Sequence, residues 1–75
     1  MSRYKYPDDR IVSWIARGAN TTAALHDNNE VKNSLEYHKN SPWESVLRVL
    51  NRRLQALRKR GVIRFDTEER VWRVV

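Results

Sequence analysis

The stretch from Ser41 to Arg60, SPWESVLRVLNRRLQALRKR, constrains the fold most, because its apolar residues repeat with the period of an α-helix. Residues spaced three or four apart lie on one face of a helix, and such a face normally packs against a core. The residues that share this spacing are Trp43, Leu47, Leu50, Leu54 and Leu57. We expect all five to be buried.

Both ends of this stretch carry residues that favour helix boundaries. Ser41 and Glu44 form an S-x-x-E capping box, and the intervening proline suits the first helical position. At the other end the basic run 58–60 complements the helix dipole, and Gly61 can adopt the left-handed conformation that ends a helix. The sequence therefore predicts a helix over residues 41–60.

A second face of the same helix is polar and basic. Arg48, Arg52, Gln55 and Lys59 repeat at helical spacing, turned about 150° from the apolar face. Glu44 is the only acidic residue in the stretch, so the i,i+4 ion pairs of an ordinary surface helix are missing. We expect this face to meet solvent or a polyanion.

The charge of the chain is concentrated in its C-terminal half. Residues 1–40 hold six basic and five acidic residues, a net charge of +1, whereas residues 41–75 hold nine and four, a net charge of +5. A one-sided basic surface is the footprint expected for a nucleic-acid partner. Acidic proteins and membrane headgroups are the other partners that this charge would suit.

Length and composition exclude several classes of protein. A chain of 75 residues forms one small domain, and without cysteine it has neither disulfides nor thiol chemistry. No apolar run approaches the roughly 20 residues of a membrane span, so we expect a cytoplasmic protein, or a nuclear one in a eukaryotic host. His26 and His38 lack metal-ligand spacing, and no glycine-rich phosphate loop or nucleophilic triad is apparent. We expect no enzyme activity, cofactor, metal or small-molecule substrate.

The N-terminal part of the chain predicts an arm followed by a helix. Residues 1–6 alternate basic and aromatic side chains without a helical period. They form either a frayed terminus or an arm along a phosphate backbone. Ile11, Trp14 and Ile15 then repeat at helical spacing after a Pro-Asp-Asp start, which predicts a helix over about residues 8–17.

The middle third is more polar. Thr21 or Thr22 can cap a short helix. Val31, Leu35 and His38, at i, i+4 and i+7, indicate a further turn or two of helix beginning at Asn29. Together with the other two, these segments give a domain of three or four helices.

In residues 62–75 the apolar period changes from that of a helix to that of a strand. A four-residue loop, Asp-Thr-Glu-Glu, would pair Phe65 with Arg70 and Ile63 with Trp72 in a β-hairpin. Alternate residues would then share a face. One face would carry Ile63, Phe65, Trp72 and Val74, and the other Arg64, Val71 and Arg73.

A helix, a polar helical segment, a long basic helix ending in RLQALRKRGVI and a hairpin with a late tryptophan resemble the winged helix-turn-helix family. The residues that carry the resemblance are Leu54, Leu57, Gly61, Ile63 and the hairpin end 71–74. The resemblance implies one α+β domain over residues 1–75. In it, 41–60 is the recognition helix and 62–75 is the wing.

For function, the resemblance implies that the third helix enters the major groove of double-stranded DNA while the wing contacts the flanking backbone. Arginine reads guanine and asparagine or glutamine reads adenine, so Arg48 and Arg52 are the expected base readers. The implied DNA-binding residues are Arg48, Asn51, Arg52, Gln55 and Lys59 in the groove, with Arg53, Arg64 and Arg73 on phosphates. The carboxylates of the wing tip oppose its deep insertion into the minor groove.

The expected protein is a small microbial or viral transcriptional regulator, or a related DNA-recognition module, that binds DNA as a monomer or homodimer. Two alternatives remain open at this point. One is a winged helix that docks on an acidic protein, and the other is a binder of structured RNA.

Overall fold

The computed structural model describes residues 5–75, in which four helices precede a two-stranded antiparallel hairpin. The helices are α1 (Lys5–Ala16), α2 (Thr22–Asp27), α3 (Asn29–Glu36) and α4 (Val46–Lys59), and the strands are β1 (Ile63–Asp66) and β2 (Val71–Val74). The predicted α+β class is therefore confirmed, with two short helices in the middle third.

Helix α1 begins at Lys5 rather than at Asp8. Residues 5 and 6 of the predicted arm are therefore helical, and residues 1–4 lie outside the described part of the chain. The proline at position 7 fits the first helical turn because the backbone N–H groups there have no partner within the helix. Ile11 and Ile15 are buried, as their spacing predicts.

Two side-chain caps define the short middle helices. The Thr21 Oγ1 accepts a hydrogen bond of 3.1 Å from the Ala24 N–H and caps α2, and the Asn28 Oδ1 accepts one of 3.1 Å from the Val31 N–H and caps α3. Each oxygen occupies the position that satisfies a backbone donor at the start of a helix. Of the two caps that the sequence allowed, Thr21 is the one used, and the predicted start at Asn29 is confirmed.

The core lies where α4 meets the other helices and the base of the hairpin. The apolar side chains buried there come from every element of the described chain. They are Ile11, Ile15, Leu25, Val31, Leu35, Val46, Val49, Leu50, Leu54, Leu57, Ile63 and Trp72.

Helix α4 begins at Val46, so the predicted capping box at Ser41 is wrong. The Ser45 Oγ accepts a hydrogen bond of 3.2 Å from the Arg48 N–H and is the cap. The Glu44 N–H donates to the Ser41 carbonyl over 3.1 Å, as in a turn with proline at its second position. The S-x-x-E pattern here therefore forms a turn that leads into the helix.

The later start changes which residues α4 buries. Trp43 is 91% exposed and Leu47 is 42% exposed, which contradicts the predicted apolar stripe. Val46 and Val49 are buried instead, because Leu47 lies about 100° around the helix from Val46 and falls at the edge of the core. The other members of the predicted stripe, Leu50, Leu54 and Leu57, are buried.

The register of the hairpin differs from the predicted one by two residues. Phe65 pairs with Trp72 and Ile63 pairs with Val74, whereas the sequence predicted Arg70 opposite Phe65. Because the shift is even, each side chain keeps its predicted face. The Phe65 and Trp72 rings meet edge to face with centroids 5.0 Å apart.

The loop of the hairpin explains the shift. The Asp66 Oδ1 accepts hydrogen bonds of 3.0 and 3.2 Å from the N–H groups of Glu68 and Glu69. Arg70 then takes a left-handed conformation with φ 58°. Asp66 therefore ends the first strand, and residues 67–70 form the loop.

Trp72 joins the hairpin to the start of α2. Its backbone N–H donates to the Asn20 carbonyl over 2.7 Å, and its indole Nε1 donates to the Thr22 Oγ1 over 3.3 Å. Its side chain is 6% exposed. These contacts hold the hairpin against the start of α2.

Candidate nucleic-acid interface

The side of α4 that points away from the core forms a polar and basic surface. We call this surface the outer face of α4, defined by Arg48, Asn51, Gln55, Arg58 and Lys59, all of which are exposed. Helix α4 itself contains no aspartate or glutamate. Four of the sequence-predicted DNA-binding residues, all but Arg58 of this set, lie together here.

The two cations near the ends of this face form no ion pair within the described part of the chain. Within residues 5–75, no carboxylate oxygen lies within 4.0 Å of a side-chain nitrogen of Arg48 or Lys59. Both are exposed, so solvent ions surround them, and Arg48 also attracts the Glu44 carboxylate without forming an ion pair with it. Release of such ions is what drives a basic surface onto a polyanion.

Arg52, a predicted base reader, instead forms an ion pair with the turn before the helix. Its Nη1 and Nη2 donate to the Glu44 Oε2 and Oε1, each over 3.0 Å, and its Nη2 also donates to the His38 carbonyl over 3.4 Å. These bonds and the Asn40 N–H lower the pKa of Glu44 from 4.5 to about 2. No i,i+4 ion pair forms within α4, as expected, but Arg52 is paired with a carboxylate eight residues earlier and fixes the preceding turn to α4.

Arg53, predicted to contact phosphate, binds α1 instead. Its Nε and Nη2 donate to the Asp8 Oδ1 and Oδ2 over 2.9 and 2.7 Å. The two side chains are only 12% and 6% exposed. A parallel, bidentate pair of this kind is among the stronger polar contacts in proteins, and here it joins the two helices.

Arg73 is likewise held within the hairpin. Its Nε donates to the Asp66 Oδ2 and its Nη2 to the Glu69 Oε2, each over 3.0 Å. The bond to Asp66 raises the pKa of Arg73, while the Glu69 N–H and then Arg73 lower the pKa of Asp66. Arg64, its partner in the strand register, is exposed and remains available at the outer side of the hairpin.

A groove between α4 and the hairpin adds two residues that sequence reasoning missed. Asn51 and Gln55 line it from α4 together with Arg58, whose Nη1 donates to the Gln55 Oε1 over 3.4 Å. Phe65, 40% exposed, lines the opposite side. In the sequence, Arg58 belongs to the basic run that ends the helix, and Phe65 belongs to the apolar face of the hairpin. Neither pattern predicts that the residue lines a surface groove.

In residues 5–75, no three His, Asp or Glu side chains are grouped so that they could hold a metal ion. None of the described helices is both long enough and apolar enough to cross a membrane.

No protein-family model matches this chain, and neither a curated protein nor a solved structure matches it. Any function proposed for the chain therefore depends on its own residues and their geometry.

Proposed function

We propose that the protein is a winged-helix domain that binds double-stranded DNA, without catalysis, through the outer face of α4. The observation that carries the proposal is the pair of exposed cations, Arg48 and Lys59, on a helix with no carboxylate. Asn51 and Gln55 lie between them on the same face. A helix of 14 residues is about 21 Å long, and the major groove, about 12 Å wide, admits an α-helix.

Each side chain on this face has a partner of matching chemistry on a duplex. Arg48 can donate two hydrogen bonds to guanine O6 and N7, while Asn51 and Gln55 can each pair with adenine N6 and N7. Arg58 and Lys59 can neutralise phosphates and so fix the orientation of the helix. In this arrangement Arg52 and Arg53 position the helix and do not read bases.

The hairpin would act as the wing, beside the recognition helix. Arg64 is exposed on its outer side and can reach a flanking phosphate. Glu68 and Glu69, both exposed in the loop, would be repelled by phosphates. We therefore expect the tip of the wing to remain outside the minor groove.

Titration of a fluorescent 20-base-pair duplex at several salt concentrations tests the proposal. Arg48→Ala should weaken binding by about 1–3 kcal/mol, the worth of a bidentate contact with guanine, and Lys59→Ala should lower the slope of log affinity against log salt by about one. Lys32→Ala on α3 is the matched control, since it removes one positive charge from another helix. Arg52→Ala should lower the melting temperature clearly and change the affinity for DNA only a little. Salt-independent binding, no binding, or an equal loss with Lys32→Ala would overturn the proposal.

Docking on an acidic protein is a second candidate, favoured by the exposure of aromatic side chains. Trp43 is 91% exposed and Tyr37 is 88% exposed, and tryptophan, tyrosine and arginine are the residues most enriched in the binding energy of protein interfaces. Purification at low salt separates the candidates. A stoichiometric acidic protein, lost when Trp43 is replaced by alanine, would favour docking, whereas nucleic acid carried through would favour the first candidate. Duplex RNA in the same titration tests the RNA alternative.

A further inference from the structure

Leu47 is an apolar side chain at the edge of the otherwise polar outer face of α4. It is 42% exposed and lies one helical turn before Asn51. Val46 and Val49 fill the part of the core that Leu47 would otherwise occupy. The side chain is therefore presented on the same side of the helix as the amide of Asn51.

The major groove offers few apolar groups to such a residue. Base edges there present hydrogen-bond donors and acceptors, and the C5-methyl group of thymine is the apolar exception. A leucine placed against a polar edge would remove water from that edge without replacing its hydrogen bonds. A leucine placed against a thymine methyl would bury apolar surface on both sides.

The spacing of the two residues fits neighbouring base pairs. Side chains four apart on a helix have Cβ atoms about 5–6 Å apart. Successive base pairs are about 3.4 Å apart along the duplex axis. Leu47 and Asn51 can thus contact the same or adjacent base pairs, with the amide of Asn51 on adenine N6 and N7.

We infer that Leu47 and Asn51 together read A·T base pairs, Leu47 through the thymine methyl and Asn51 through adenine. This inference rests on the proposed function. The exposed leucine is better matched to DNA than to a second copy of the chain. Arg48 is its neighbour, and the net charge of +6 would oppose self-association while attracting phosphate.

Removal of the methyl group alone provides the test. An alternating A·T duplex of 20 base pairs is compared with the same duplex in which deoxyuridine replaces every thymidine. The wild-type protein should bind the uracil duplex about fourfold more weakly for each methyl contacted, the worth of one buried carbon. Leu47→Ala should bind both duplexes equally. Val74→Ala, which shortens a side chain of equal exposure (41%) on the hairpin, should keep the preference for thymine.

A second experiment tests the contact between Asn51 and adenine. Replacing adenine by 7-deazaadenine removes the N7 acceptor, which should weaken binding by the wild-type protein more than binding by Asn51→Ala, in which only Gln55 can still contact N7. Circular dichroism of each variant confirms that it is folded.

The outcomes separate the inference from the function on which it rests. Equal, salt-dependent binding of thymine and uracil duplexes by the wild-type protein would overturn the inference and leave DNA binding intact. If Leu47→Ala still prefers the thymine duplex, the preference comes from the shape of the duplex and not from Leu47. That result would also overturn the inference. Failure to bind any duplex at any salt concentration would overturn both.

Discussion

Arg53 of α4 binds Asp8 of α1 through two parallel hydrogen bonds, Nε to Oδ1 at 2.9 Å and Nη2 to Oδ2 at 2.7 Å. Both side chains are nearly buried, and the two residues lie 45 positions apart in the chain. A cation of the basic helix is therefore part of the tertiary structure. The pair joins α4 to α1.

Loss of this pair should destabilise the protein. Asp8→Ala removes the carboxylate that Arg53 binds and should lower the free energy of unfolding by about 3 kcal/mol, because a nearly buried charge loses its counter-ion. The measurement is urea denaturation, with Asp9→Ala, an exposed neighbour, as the control. A double change, Asp8→Leu with Arg53→Met, should recover much of the loss. Equal stability of the Asp8 and Asp9 variants would show that the pair contributes nothing.

Glu44 should make stability depend on pH in the acid range. Its pKa is lowered from 4.5 to about 2, chiefly by the hydrogen bonds from Arg52. The folded protein thus binds the proton more weakly than the unfolded chain. The stabilisation is fully present above pH 4.5 and is lost as the pH falls toward 2.

Comparison with Glu44→Gln isolates this contribution, since the amide has the shape of the carboxylate but no charge. The difference in melting temperature between the wild type and the variant should be constant near neutral pH. It should shrink steadily between pH 4.5 and pH 2. A difference that stays constant over that interval would mean that the Arg52 contact does not hold the carboxylate ionised.

Local sequence signals sufficed where a segment is stabilised by its near neighbours. The caps at Thr21 and Asn28 act within three residues, so the starts of α2 and α3 were predictable. The start of α4 was not, because Ser41 and Ser45 are both acceptable caps by type. The structure uses Ser45, and Glu44 then binds Arg52, eight residues further along the chain. No local pattern reveals that contact.

The candidate site was predictable in part for the same reason. Helical period alone placed Arg48, Gln55 and Lys59 on an exposed face. It could not show that the carboxylates of Glu44 and Asp8 would occupy the neighbouring arginines. The partner of Arg53 comes from another helix, and such pairings are set by the packing of elements and not by their spacing in the chain.

Trp43 and Leu54 should respond oppositely to truncation. Trp43 is 91% exposed, so Trp43→Ala should change the free energy of unfolding by no more than about 0.5 kcal/mol. Leu54 is fully buried, and Leu54→Ala should cost about 3 kcal/mol by opening a cavity. Acrylamide quenching gives a second reading, because Trp43 should supply most of the quenchable tryptophan fluorescence. A large loss of stability in Trp43→Ala would instead indicate that Trp43 is buried, as in a helix that starts at Ser41.

Substitutions of Arg70 distinguish the observed register of the hairpin from the one predicted from the sequence, because the two registers predict opposite signs for the change in the free energy of unfolding. In the structure its φ is 58°, a left-handed conformation that costs most residues about 1 kcal/mol and asparagine less. Arg70→Asn should therefore stabilise the protein by about 0.5 kcal/mol, and Arg70→Val should destabilise it by about 1 kcal/mol. Arg70→Lys keeps the charge and the strain, and should be neutral. If Arg70 were instead paired with Phe65 in an extended strand, valine would be favoured and asparagine disfavoured, which reverses both signs.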